Sequence, residues 1–289
     1  MNSIGVDIGG TNLRAALVTV DGQILKKIKI SSSGDILAGL IDTISSLYSE
    51  DVAGIGLAIA GIVDKKQGGM SVSPNIPSIA GVNIISKLQE RFQRPIEFGN
   101  DASLAALGEG VSGAGKGLNT FVMFTLGTGI GGGVVYNGSL LEAATELGHI
   151  TIETQGIKCS CGNNGCLEAY ASAGSIVKRA VKHGLLNVTP EDIYRNAKDG
   201  DSISIEILKD AGRYLGIGMA NMINIFSPEA VIIGGGIAGA WDIMVKEAII
   251  ETQKRCFKEL FDGIKIVPAV LGDDAGLIGA AHLVNRGIL

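Results

Sequence analysis

The feature that most constrains this chain is a repeated unit: an apolar strand, a glycine turn and a second strand occur near the N-terminus and again at mid-chain. The first copy runs from Ser3 through Asp7-Ile8-Gly9-Gly10-Thr11 into a second strand, then past an Asp21-Gly22 turn into a third. Alternating β-branched and apolar residues between hairpin signals define this meander. The second copy runs Phe121 to Leu126, Gly127-Thr128-Gly129, Ile130 to Tyr136, and ends on an Asn137-Gly138 hairpin signal. Two such units about 120 residues apart imply two similar lobes. The boundary falls between Lys116 and Asn119, giving an N-terminal lobe at 1–118 and a C-terminal lobe at 119–274. A final apolar-faced helix within 275–289 is expected to pack back on the first lobe.

Between the copies, apolar positions from Ile36 to Leu47 form one stripe of a helix over roughly Asp35 to Tyr48, and the strand Val52 to Ile59 follows. The stretch from Ala60 to Gly81 is rich in Gly, Ser, Pro and Asn and reads as a long irregular loop. A short strand ends at Gly99, and Asn100-Asp101 opens a helix. The second half holds helices around 175–183, 191–197 and 202–225, then the strand Ala230 to Ile233 running into Gly234-Gly235-Gly236. The reading is α/β.

Glycine accounts for 43 of 289 residues, about twice the usual ~7% share, so many tight backbone turns are expected. A net charge of −5 gives no basic field for a polyphosphate backbone, and nucleic acid is not an expected partner. The start lacks the pattern of an export signal and no stretch reaches ~18 uncharged apolar residues, so the expectation is a cytoplasmic protein with no membrane partner.

Glycines at a strand end leave backbone N–H groups free to approach an oxyanion. Asp7 beside such a turn would repel a bare phosphate, which makes sense if Mg²⁺ and its waters lie between them. Asp7, Gly9, Gly10, Thr11, Asn12 and Arg14 are therefore candidate nucleotide contacts, and a plain β-hairpin is the alternative. Gly127, Thr128 and Gly129 repeat the chemistry, with Thr128 able to donate to a second phosphate. Gly234, Gly235 and Gly236 suit a site where an adenine ring slides over bare backbone. None of these runs matches the Walker pattern.

The most specific pattern is Glu146-Leu147-Gly148-His149 followed by Cys159-Ser160-Cys161-Gly162-Asn163-Asn164-Gly165-Cys166-Leu167-Glu168. His149, Cys159, Cys161 and Cys166 supply one imidazole and three thiolates, a closed tetrahedral set for structural Zn²⁺. A disulfide among these cysteines, or buried thiols, is the alternative. Cys256 reads as a small core residue, and His183 and His282 as surface or packing residues.

The order of these loops resembles the ROK family within the actin-like ATPase and sugar-kinase superfamily, over essentially the whole chain. The His and C-x-C-G-x-x-G-C motifs of that family fall on the four metal candidates with nothing inserted. The resemblance implies a two-lobed, ribonuclease H-like, actin-type fold with ATP and a sugar in a cleft between the lobes. It implies an ATP-dependent, glucokinase-like transfer to a hexose or N-acetylhexosamine, with frequent homodimers. Asn100-Asp101 matches the dipeptide whose aspartate is the family's catalytic base, although Asn and Asp at a helix start are more commonly N-caps. The family also uses the positions of Asn100, Asp101, Glu146, His149 and Glu168 to hold sugar hydroxyls, and Asn75 is a further candidate. Two residues depart from the family pattern: Thr145 where glycine often stands, and Ile79 where an aromatic often stands. Both bear on which sugar is taken. The family includes sugar-responsive repressors carrying an added DNA-binding region, which gives one rival reading, and an actin-like ATPase without a sugar substrate gives another.

Overall fold

The computed structural model describes residues 1–64, 69–72 and 83–285. They form two compact units: one from Met1–Gly117, Leu140–Ala144 and the stretch from Val270 onward, the other from Leu118–Ser139 and Thr145–Ala269.

In the first unit, β1 (Asn2–Ile8) is central, with Ile4, Val6 and Ile8 fully buried. β2 (Asn12–Thr19) pairs with it antiparallel, and β3 (Ile24–Ser31) pairs antiparallel with β2 at the sheet edge. Exposed Lys26, Lys27 and Lys29 line β3, a common guard of an open edge against pairing with another chain. α1 (Ile36–Ser45) begins where the Asp35 carboxylate accepts from the amides of Leu37 and Ala38. β4 (Val52–Ile59) then joins β1 in parallel.

The segment expected to be wholly irregular contains a short antiparallel pair, β5 (Ile62–Asp64) and β6 (Gly69–Val72). Its apolar residues are too few for a periodicity signal among the surrounding Gly, Ser and Pro. α2 (Ile84–Phe92), β7 (Ile96–Asn100) and α3 (Asp101–Ser112) follow, giving the sheet order β3-β2-β1-β4-β7. The core between this sheet and α1 and α2 is apolar and mainly aliphatic, with Leu40, Ile44, Leu57, Leu88 and Phe92 among its members.

The second unit contains β8 (Phe121–Leu126) and β9 (Ile130–Tyr136), and β10 (Ser139–Leu140) follows them in the chain. The helices α4 (Glu168–Ala171), α5 (Ala173–Lys182), α6 (Pro190–Lys198) and α7 (Ser202–Phe226) come next. β11 (Ala230–Gly234), α8 (Lys246–Arg255), α9 (Lys258–Asp262) and β12 (Lys265–Pro268) complete it. The sheet order is β10-β9-β8-β11-β12. Each sheet pairs its first strand antiparallel with the second and parallel with the fourth, and its fourth parallel with the fifth. The repeat in the sequence is thus a repeat of a whole sheet design. No helix among the described residues is long and apolar enough to cross a membrane.

α10 (Ala275–Asn285) closes the first unit by lying on β1, β4 and α3. The approach is backbone to backbone: a methyl group at Gly5 would stand 1.9 Å from the Leu277 carbonyl oxygen, and one at Gly56 1.8 Å from that of Ala280. Ser3 Oγ fixes the helix end by donating to Asn285 Oδ1 at 2.8 Å. The fully buried Glu109 is satisfied by three backbone amides, with Ala114 donating to Oε2 at 2.7 Å and Val270 and Leu271 to Oε1 at 3.0 and 2.9 Å. Gly56→Ala is expected to destabilise the protein by about 2 kcal/mol or more, read as a lower urea midpoint, because backbone cannot rotate away as a side chain can. An unchanged midpoint would mean that α10 is free to shift.

Candidate active site and metal centre

In the first unit, strand register sets the site. Ile8 of β1 lies opposite Ile59 of β4, and Ile59 opposite Asn100 of β7, so the Asp7–Thr11 turn, Gly61 and the start of α3 share the C-terminal edge of the parallel strands. Open α/β sheets bind ligands at such edges. Gly9 N donates to Asn12 O at 3.0 Å and tightens the turn, leaving Gly10 and Thr11 exposed.

Asn100, not Asp101, is the N-cap of α3: its Oδ1 accepts from Ser103 N at 3.0 Å, and its Nδ2 donates to Gly61 O at 3.1 Å. Asp101 is the first helical residue, and its Oδ1 accepts from Ala102 N at 2.9 Å. Burial raises the Asp101 carboxyl above the ordinary aspartate range, while the amides of Ala102 and of Asp101 itself oppose the shift. Burial likewise pushes Asp7 up to about 6, with Arg14 opposing and the charges of Asp101 and Asp273 adding to it. Arg14 stands 3.6 Å from Asp7 Oδ2 and 3.1 Å from Asp273 Oδ2. Its charge is engaged by these two carboxylates.

In the second unit, Gly127 N donates to Gly129 O at 2.9 Å, closing the second glycine turn with Thr128 exposed at its tip. Ala173 N, at the start of α5, donates to Gly127 O at 2.9 Å, and Ile130 N donates to Glu168 Oε2 at 3.0 Å. The Gly234–Gly236 run leaves β11 beside the end of β8. Gly235 adopts φ +88°, and a methyl there would stand 2.2 Å from the Leu126 carbonyl oxygen. Gly235 and Gly236 are exposed, as an adenine platform requires.

The Glu146–His149 segment forms a 3-10 turn over Leu147–His149, packed on β9 so closely that a methyl at Gly148 would stand 2.0 Å from the Ile130 carbonyl oxygen. His149, Cys159, Cys161 and Cys166 converge, with all four donor atoms within 4.8 Å of one another. Cys161 Sγ lies 3.7 Å from Cys166 Sγ, and Cys159 Sγ lies 3.7 Å from His149 Nδ1. A tetrahedron built on metal–sulfur bonds of about 2.3 Å has edges of about 3.8 Å, so the donor set has the dimensions of a closed zinc site. All four cysteines are free thiols; Cys256 is half-buried and remote from this cluster. Asn75 and Ile79 lie outside the described residues.

Sequence reasoning missed several contacts around these residues. Tyr170 Oη accepts from Ile157 N at 2.8 Å and supports the cysteine loop, and Ser160 Oγ donates to Glu168 Oε1 at 3.0 Å. The place of Ser160 inside Cys-x-Cys was the available signal for the second. Thr145 adopts φ +39°, in the left-handed region that a β-branched residue rarely enters. This gives a physical reason for the preference for glycine at that position.

Residues 3–287 match the ROK family. The chain is 34% identical to a glucokinase of Halalkalibacterium halodurans, over 98% of this chain and 94% of the relative. It is 31% identical to a xylose repressor of Bacillus spizizenii, over 99% of this chain and 78% of the relative. Among solved structures, the ROK hexokinase from Thermus thermophilus superposes with a TM-score of 0.89 at 31% identity, covering 100% of this chain and 99% of that one. A ROK family glucokinase from Streptomyces griseus, in complex with glucose and AMPPNP, superposes with a TM-score of 0.82 at 29% identity, covering 99% and 100%. The fold is that of the ROK kinases, the actin-like ATPase design expected from the sequence.

Two stability predictions follow from the strained and desolvated positions. Asp7 binds a proton more readily folded than unfolded, so its contribution to stability falls as pH rises from the ordinary aspartate value to about 6. The ionised group then costs on the order of 2–3 kcal/mol at neutral pH. Asp7→Asn should raise the melting temperature of the ligand-free protein at about pH 7, by a margin that shrinks towards about pH 4. A pH-independent difference would contradict the burial argument. Thr145→Gly should stabilise by about 1 kcal/mol, since left-handed backbone costs threonine ~1–3 kcal/mol and glycine's extra unfolded freedom offsets part of the gain. A lower melting temperature would mean that the threonine side chain contributes more than its backbone costs.

Proposed function

Because the chain belongs to the ROK family, we propose that it is an ATP-dependent sugar kinase, transferring the γ-phosphate of ATP to a hydroxyl of a hexose or N-acetylhexosamine. One observation carries this reading: Asn100 uses both ends of its amide on the helix cap and on Gly61, while Asp101 keeps a partly buried carboxylate with a raised pKa at the strand-end edge. The capping role that would otherwise account for an acid here is taken by its neighbour.

A sugar hydroxyl is a weak nucleophile, and Asp101 accepts its proton as it attacks the γ-phosphorus in line. Asp7 would hold the water shell of Mg²⁺, which when bound with the nucleotide offsets phosphate charge. Amides of Gly10, Thr11 and Asn12 and of Thr128 and Gly129, with the Thr128 hydroxyl, receive the phosphates, while Gly9 and Gly127 shape the two turns through their own backbone bonds. Gly234, Gly235 and Gly236 form the adenosine platform. Arg14 acts through Asp7, holding that carboxylate in place.

Asn100, Asp101, Glu146, His149 and Glu168 hold the sugar hydroxyls. Epimers are discriminated when a fixed polar partner is left unpaired, which requires that these groups do not move. His149, Cys159, Cys161 and Cys166 would hold a zinc ion, which when bound would supply that rigidity as a structural cross-link. The glucokinase relatives favour glucose or a close hexose, and the AMPPNP complex of the Streptomyces griseus glucokinase supports ATP as donor.

A second reading rests on the xylose repressor relative: sugar binding coupled to DNA regulation, without transfer. ADP release measured across a hexose and N-acetylhexosamine panel separates the readings. A kinase releases ADP only with its sugar, an ATPase releases it without one, and a regulator releases none. Asp101→Asn should retain sugar and nucleotide binding while lowering kcat by at least about 10²-fold. In the parent enzyme, kcat/KM should fall on the acid side at a pH above the ordinary aspartate range, because the base must be ionised. Near-normal kcat in the variant would remove Asp101 from the mechanism.

A further inference from the structure

Glu168 has a second place in this structure, independent of any sugar. Its Oε1 accepts from Ser160 Oγ at 3.0 Å, and Ser160 stands between two of the four metal donors, Cys159 and Cys161. Its Oε2 accepts from Ile130 N at 3.0 Å, the first amide after the second glycine turn. The carboxylate is seated on that turn, since a methyl group at Gly129 would stand 2.4 Å from Oε2. Five residues on, Ala173 N holds the other side of the turn through Gly127 O at 2.9 Å. Both grips therefore come from the short segment that begins two residues after the last thiolate, Cys166.

We propose that Glu168 is a positioning residue that links the metal loop to the Gly127–Gly129 turn, so that occupancy of the zinc site sets the affinity for the nucleotide's phosphates. The inference rests on the reading of that turn as a phosphate site. The physical basis is restraint of a charge. A carboxylate beside a phosphate site is tolerable while both oxygens are bound by donors and its position is fixed. Loss of the Ser160 donor, or of the metal that holds Ser160 in place, frees one oxygen to swing towards the phosphates and loosens the backbone of the turn. The link lies wholly within the second unit, so no sugar is needed for its effect to appear.

The test is the dissociation constant of Mg²⁺ with AMPPNP, measured by calorimetry without sugar, for four proteins. These are the zinc-loaded parent, zinc-loaded Ser160→Ala, and each of the two after chelation, with zinc content and circular dichroism recorded for all. Zinc-loaded Ser160→Ala should keep one zinc per chain yet bind the nucleotide about 3- to 10-fold more weakly, the net scale of one ordinary hydrogen bond. Chelation should weaken the parent at least as much and weaken Ser160→Ala by less, because residues in one network are non-additive. Ser160→Thr, which keeps a hydroxyl, should restore parental affinity. Equal affinities for parent and Ser160→Ala, or equal losses on chelation in both, would overturn the link while leaving the kinase reading intact. Absence of nucleotide binding by the zinc-loaded parent would sink both.

Discussion

The first unit places the half-buried carboxylate of Asp7 where its surroundings favour the neutral form. Desolvation and the charges of Asp101 and Asp273 all push Asp7 towards protonation, and Arg14 is the cation that opposes them. Strand register forces the arrangement, since Ile8, Ile59 and Asn100 stand side by side and carry their following residues to one edge. A carboxylate that repels its neighbours is a poor contribution to stability and a good seat for a hydrated cation. The site therefore suits a ligand that brings a cation with it, as the proposed magnesium nucleotide would.

How much of this was legible in the sequence depends on the range over which each feature is determined. Strands β1, β2, β8, β9 and β11 and their glycine turns were readable because period-two alternation and glycine-rich turn signals are local properties. The four metal donors were readable because three of them fall within eight residues. Asn100 was readable as a helix start, but its hold on Gly61 was not, because that contact depends on β4 and β7 lying in register. Arg14 read as a candidate nucleotide contact. Its ion pair with Asp273, 259 residues away, exists only because α10 returns to the first sheet. Glu109 looked like any helical glutamate, and its three amide donors are set by tertiary packing alone. The strain at Thr145 had a sequence signal in the departure from glycine, but its sign and place needed the backbone angle.

The cysteine loop illustrates a different economy. From Thr151 to Asn164 nearly every residue is exposed or half-exposed, Cys159 excepted, so the segment has little apolar surface with which to fix its own conformation. A metal cross-link does for such a loop what a core does for a domain. Backbone ties are also present: Gly165 N donates to Ile157 O at 2.9 Å, Ile152 N to Gly165 O at 2.8 Å, and Leu167 N to Ile150 O at 3.0 Å. They position the loop, but exposed backbone bonds open readily, so a cross-link through the four donors would add the restraint these bonds lack.

The two sheets share a topology and differ in electrostatics, and that difference divides the proposed labour. The first glycine turn is flanked by Asp7, with Asp101 and Asp273 close enough to raise its pKa, and the cation Arg14 there is bound to carboxylates. This is an environment for cations and protons. The second turn carries the Thr128 hydroxyl and bare amides, and Glu168, the carboxylate bound beside it, has each oxygen engaged by a donor. This is an environment for anions. A duplicated fold thus supplies the same strand-end geometry twice, once with acids and once with acids restrained. Phosphoryl transfer needs both: a place where a proton is removed and a cation held, and a place where negative charge is received.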